Sequence, residues 1–88
     1  MELYKVLDSL QSEEEFKIFF EDICTIKEVL DMAQRLDAAV LLDQGENYQN
    51  ISKTVGISTS TISRVKRCLD YGPGGYRLVL DRLKEEQA

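Results

Sequence analysis

The stretch Ile51–Gly72, "ISKTVGISTSTISRVKRCLDYG", decides how this chain is read. Two short amphipathic patterns meet in it at Gly56. Ile51, Val55, Ile57, Ile62 and Val65 supply apolar positions, Ser52 is small, and glycine stands at the corner, all at the spacing of a helix-turn-helix. Each position answers a physical demand. Gly56 takes positive φ at a sharp turn without a Cβ penalty, Ser52 lets the second helix come close, and the five apolar side chains fill the wedge between the helices.

The other face of the second helix carries the chemistry. On a helical wheel Ile62, Val65 and Leu69 point inward, while Ser60, Ser63, Arg64 and Arg67 point away. A helix presented to a DNA major groove needs short hydroxyl residues near its N-terminus, where bulk would hold it off the bases. It also needs cations that reach phosphates or guanine edges. Ser58 as N-cap, then Thr59, Ser60, Thr61 and Ser63, fit the first demand. Arg64 and Arg67 fit the second, with Lys53 and Lys66 placed for phosphate and the helix N-terminus adding amide donors. Four phosphate contacts per subunit, doubled in a dimer, predict a salt slope of about −7.

Charge is distributed to match. The chain of 88 residues has a net charge of −5, yet residues 1–47 hold 4 cations against 12 anions, and residues 48–88 hold 7 against 4. Tyr48 to Leu69 contains Lys53, Arg64, Lys66 and Arg67 and no acid. A basic face on an acidic body suits a polyanion approached in one orientation.

The same composition excludes other classes. Without histidine, the two cysteines, Cys24 and Cys68, cannot form a Cys/His zinc site, and reduced thiols with no metal are expected. No Cys/His or Ser/His pair can be assembled and no Gly-rich phosphate loop occurs, so no enzyme is expected. No apolar run approaches the ~20 residues of a membrane span, and the N-terminus is acidic, so a soluble, unexported, cytoplasmic protein is expected. A chain this short makes one domain, residues 1–88, with a core marginal by itself, which favours a partner subunit.

Outward from the motif the pattern is helical throughout. Leu3, Val6, Leu7 and Leu10 make a short stripe, and Ser12 with Glu15 opens a second helix striped by Phe16, Phe19, Phe20 and Ile23. Thr25 with Glu28 repeats that capping signal before a longer helix carrying Ile26, Val29, Leu30, Ala33, Leu36, Val40 and Leu41, which Gly45 ends. Asn47 caps a fourth helix through Val55, and Ser58 a fifth through about Leu69. Tyr71, Gly72 and Pro73 read as a stop and restart, with a left-handed glycine exit and proline in the first turn of a last helix bearing Tyr76, Val79, Leu80 and Leu83. An all-α chain follows, with dimerisation helices over residues 1–46, the helix-turn-helix over 47–69 and a C-terminal dimerisation helix over 73–86.

The segments "FFEDICTIKEV", "MAQRLDAAVLL", "ISKTVGISTSTISRVKRCLDYG" and "GGYRLVLDRLK" resemble the Trp repressor superfamily, in particular its short Trp-repressor-like branch, the YerC/YecD family. Pro73 follows Arg64 by nine residues, as the repressor's proline follows its matching arginine. The resemblance implies a six-helix fold in which two subunits interlock as an intertwined homodimer. The two recognition helices would then stand about 34 Å apart on a roughly palindromic site.

It also implies an effector pocket. Arg35 and Arg64 align with the two arginines that hold the corepressor, and Thr25 with a pocket threonine; two cations facing a cleft suit a carboxylate. An ion pair of Arg35 with Asp31, one turn back, is the competing use of that cation. Val65 stands where the repressor has glycine beside the indole, and Cys68 where it has serine, so a branched side chain crowds out the ring. No tryptophan cofactor is therefore expected, and another small effector stays open. The expectation is a DNA-binding transcriptional regulator, a repressor in sign; the alternative is a protein-interaction module that keeps the helix-turn-helix shape without binding DNA.

Overall fold

The structure, a computed structural model, describes residues 2–87. Six α-helices follow in order: α1 (Leu3–Ser9), α2 (Glu13–Ile23), α3 (Ile26–Asp43), α4 (Tyr48–Ile51), α5 (Thr59–Tyr71) and α6 (Gly75–Gln87), with a π-helical turn, Ser52–Gly56, between α4 and α5. No strand occurs among the described residues.

Helix starts follow the local signals. Ser12 Oγ accepts the Glu15 N–H at 3.1 Å. Thr25 and Glu28 close a reciprocal capping box: the Thr25 N–H donates to Glu28 Oε1 at 2.8 Å, and the Glu28 N–H donates to Thr25 Oγ1 at 3.1 Å. The Thr25 backbone N–H, ahead of its hydroxyl, holds the Glu28 carboxyl below its ordinary pKa. Asn47 Oδ1 takes the Asn50 N–H at 2.8 Å. α3 ends in a Schellman motif, the Glu46 N–H reaching the Leu41 carbonyl at 3.1 Å and the Gly45 N–H that of Leu42 at 3.0 Å.

The described residues form two compact units that divide between Asp31 and Met32. The first holds α1, α2 and the start of α3, and none of its residues is buried. Its aromatic contacts lie along α2, where Phe20 stands 6.4 Å from Phe16 and 6.1 Å from Phe19, ring centre to ring centre. The second unit contains the core: Ala38 and Ala39 of α3, Ile51, Ile62, Val65 and Leu80 are buried together. Val40, Leu41, Leu42, Tyr48, Val55, Ile57, Leu69, Tyr76 and Leu83 pack around them. α4 packs on α5, and α5 on α6. Asp43, at the end of α3, ties down α6 by taking both Arg77 Nη atoms at 2.9 Å and Lys84 Nζ at 2.8 Å.

Three boundaries differ from the sequence expectation. The fourth helix is not one α-helix through Val55: a single α turn gives way to the π-helical turn, where the Ser52 hydroxyl bonds across the corner to Ile57. The last helix begins at Gly75 instead of Pro73, because Gly74 at φ +100° turns the chain before it can coil. Gly72 is not a left-handed exit either. Its φ is −76°, and glycine suits the position because a Cβ there would collide with the Cys68 carbonyl oxygen, the group that accepts the Gly72 N–H at 2.8 Å.

Candidate nucleic-acid interface

The corner between α4 and α5 is assembled from local devices. Gly56 sits at φ +82°, a region costly for any residue with a Cβ. Ser52 Oγ donates to the Ile57 carbonyl at 2.6 Å, and Gln34 Nε2 of α3 donates to the Val55 carbonyl at 3.4 Å. Ser58 then caps α5: its Oγ accepts the Thr61 N–H at 3.1 Å and shares a hydrogen bond with Thr61 Oγ1 at 3.0 Å.

From that corner α5 presents two unlike faces. Ile62 and Val65 retain 0% and 2% of their exposure, and Leu69 is half-buried. Ser58, Thr59, Ser60, Ser63, Arg64 and Arg67 are exposed, as is Lys53 on the π-helical turn. Three members of the predicted set are already engaged, Ser58 among them through the cap just described. Thr61 is half-buried and spends its hydroxyl on Ser58. Lys66 is half-buried and paired with Asp70 at 3.0 Å; the hydrogen bond its Nζ donates to that carboxylate, ahead of their mutual charge, holds its amine above the ordinary lysine pKa. The acid-free window Tyr48–Leu69 stops one residue short of this partner, which i, i+4 spacing would have found. Sequence reasoning also missed Gln34, and gave Ser52 a role through its size alone.

Of the five residues that the resemblance assigns to an effector pocket, Arg64, Val65 and Cys68 lie on α5, Arg35 lies on α3, and Thr25 directly precedes α3. Thr25 uses its hydroxyl in the capping box, and Asp31 pairs with Lys27 at 2.8 Å. Arg35 and Arg64 are exposed, Val65 belongs to the buried wedge, and Cys68 is an exposed free thiol. A cavity of about 500 Å³ opens between Leu36, Cys68, Pro73, Gly75, Tyr76 and Val79. Among the described residues its wall takes only Cys68 from the predicted pocket, so its character is apolar and neither arginine lines it.

Known proteins share this architecture. The family model of the Trp repressor protein matches residues 1–84. The uncharacterised protein YerC of Bacillus subtilis (strain 168) is 48% identical over 86 residues, covering 98% of this chain and 83% of YerC. A crystal structure of a TrpR-like protein from Eubacterium eligens ATCC 27750 superposes with a TM-score of 0.89 at 43% identity, over 94% of this chain and 86% of that one. A candidate Trp repressor from Staphylococcus aureus superposes at 0.88 with 42% identity, over 94% and 83% of the two chains.

Fold and site thus define a six-helix helix-turn-helix protein. The chain belongs to the Trp repressor family. That family is one of DNA-binding regulators and not of enzymes, so family and fold together point to DNA binding and transcription regulation. No helix among the described residues is long and apolar enough to cross a membrane.

Proposed function

We propose that this protein is a homodimeric cytoplasmic transcriptional repressor that inserts α5 into the major groove of a roughly palindromic operator. One observation carries the reading: Ser60, Ser63, Arg64 and Arg67 stand exposed on one side of a helix whose opposite side is buried in the wedge. Short hydroxyls toward the N-terminus permit close approach, and the arginines offer planar donors to guanine edges or phosphates. Lys53 supplies a phosphate contact, and Lys66 a weaker one because a phosphate must displace Asp70.

Dimerisation rests on a different observation. Ile18, Ile23, Ile26 and Leu30 remain more than half exposed on α2 and α3, an apolar surface suited to a second copy. Two copies place two recognition helices on one face of the duplex.

The test selects bound sequences from a random duplex pool and then titrates the best one against salt. The expected logarithmic salt slope lies near −7, eased toward −5 if both Lys66 side chains stay with Asp70. Arg64→Ala is expected to weaken operator binding by about 5- to 150-fold, the worth of a bidentate base contact. Binding indifferent to both salt and Arg64→Ala, or no binding to random duplex at low salt, would instead favour a protein-docking module.

A further inference from the structure

We propose that Ser52 is a positioning residue for DNA reading: its hydroxyl fixes the angle at which α5 leaves the corner, and so governs base discrimination more than fold stability. This rests on the DNA-binding function proposed above and adds to it a residue outside the recognition helix.

The geometry is specific. Ser52 opens the π-helical turn, and its Oγ donates at 2.6 Å to the carbonyl of Ile57, the residue directly before the N-cap Ser58. The bond therefore spans Gly56 from the first helix of the motif to the lead-in of the second. On the near side of Gly56, the Val55 carbonyl receives the longer bond from Gln34 on α3. The two carbonyls flanking the most permissive residue of the motif are thus both held by side-chain donors, one from within the motif and one from the helix beneath it.

Holding the fold and aiming the helix are separate tasks here. Ile51, Ile62 and Val65 fill the wedge whether or not the hydroxyl is present. Ser52 and Ile57 are only half-buried, so water can take the carbonyl when the hydroxyl is removed, and the wedge survives. What is lost is the restraint across Gly56. Base-edge hydrogen bonds are directional and suffer from a loosened hinge, whereas contacts of flexible lysine or arginine with phosphate tolerate it.

The measurement is the ratio of affinity for the selected operator to affinity for random duplex. Ser52→Ala is expected to lower operator affinity about tenfold, the size of one mismatched base pair, while random duplex changes by no more than about twofold. Ser52→Cys, close in volume but a weak donor, is expected to match alanine, and Ser52→Thr, which restores the hydroxyl, to recover the ratio. Should Ser52→Ala lose its helical circular dichroism, the cysteine variant carries the comparison. Parallel loss on both duplexes, an unchanged ratio in alanine or cysteine, or no recovery with threonine overturns the proposal. A wild-type protein that prefers no sequence overturns the DNA-reading function itself, and this inference with it.

Discussion

Residues 2–31 and 32–87 both carry apolar stripes at helical spacing, yet among the described residues only the second set buries any of them. In the second unit Ile51, Ile62, Val65 and Leu80 are buried together with Ala38 and Ala39 of α3. In the first, Ile26 keeps 91% of its exposure although its position on the stripe is as regular as that of Ile62. Periodicity therefore marks a face that needs covering without saying which chain covers it. The charge contrast runs the same way, with 3 cations against 9 anions over residues 1–31 and 8 against 7 over residues 32–88.

The strongest attempt to break that contrast is Ile62→Asp. A carboxylate at a position with 0% exposure and no partner destabilises by on the order of 4 kcal/mol or more, close to the whole stability of so small a unit. Loss of cooperative thermal unfolding is expected, followed by circular dichroism. Melting like the wild type would mean that the wedge is not the core. The matching change in the first unit is Leu30→Glu, at a side chain 53% exposed. Under the homodimer proposal it is expected to raise the dimer dissociation constant by roughly 100-fold, about 2–3 kcal/mol, while the helical signal of each chain persists. Sedimentation velocity reads the outcome, and an unchanged dimer at micromolar concentration would show the stripe to be merely solvated.

Legibility in the sequence follows the range of each interaction. Ser12, Thr25, Asn47 and Ser58 cap the helices they were expected to cap, because a capping bond spans only three residues. Gly56 is legible for the same reason. The inward set of α5 was readable because amphipathic spacing fixes sides within one helix. The π-helical turn was not, nor was the bond from the Ser52 hydroxyl to an acceptor beyond the corner. Pro73 misled as well: proline suits a first helical turn, but Gly74 at positive φ postpones the helix. At the site the exposed residues of α5 were readable, and the engagement of Lys66 was lost to a window closed at Leu69.

The bond least visible in sequence gives the smallest and most conditional effect. Asp43 and Arg77 are 34 residues apart, and no local pattern joins them. Asp43 is 15% exposed and holds Arg77 through both oxygens, with Lys84 sharing Oδ2. The Arg77 hydrogen bonds first, then that of Lys84, hold its carboxyl well below the usual carboxylate range against a modest opposing cost of burial. A folded-state pKa below the unfolded one means that the pair stabilises the protein above the unfolded value, about 4, and loses that stabilisation as pH falls toward the folded value. Asp43→Asn is therefore expected to cost about 1–2 kcal/mol at pH 7, with the gap to wild type narrowing steadily below pH 4. Urea unfolding of both proteins between pH 7 and pH 3 measures it. A gap that stayed constant across that range would assign the loss to packing at the end of α3, leaving burial alone to separate the two units.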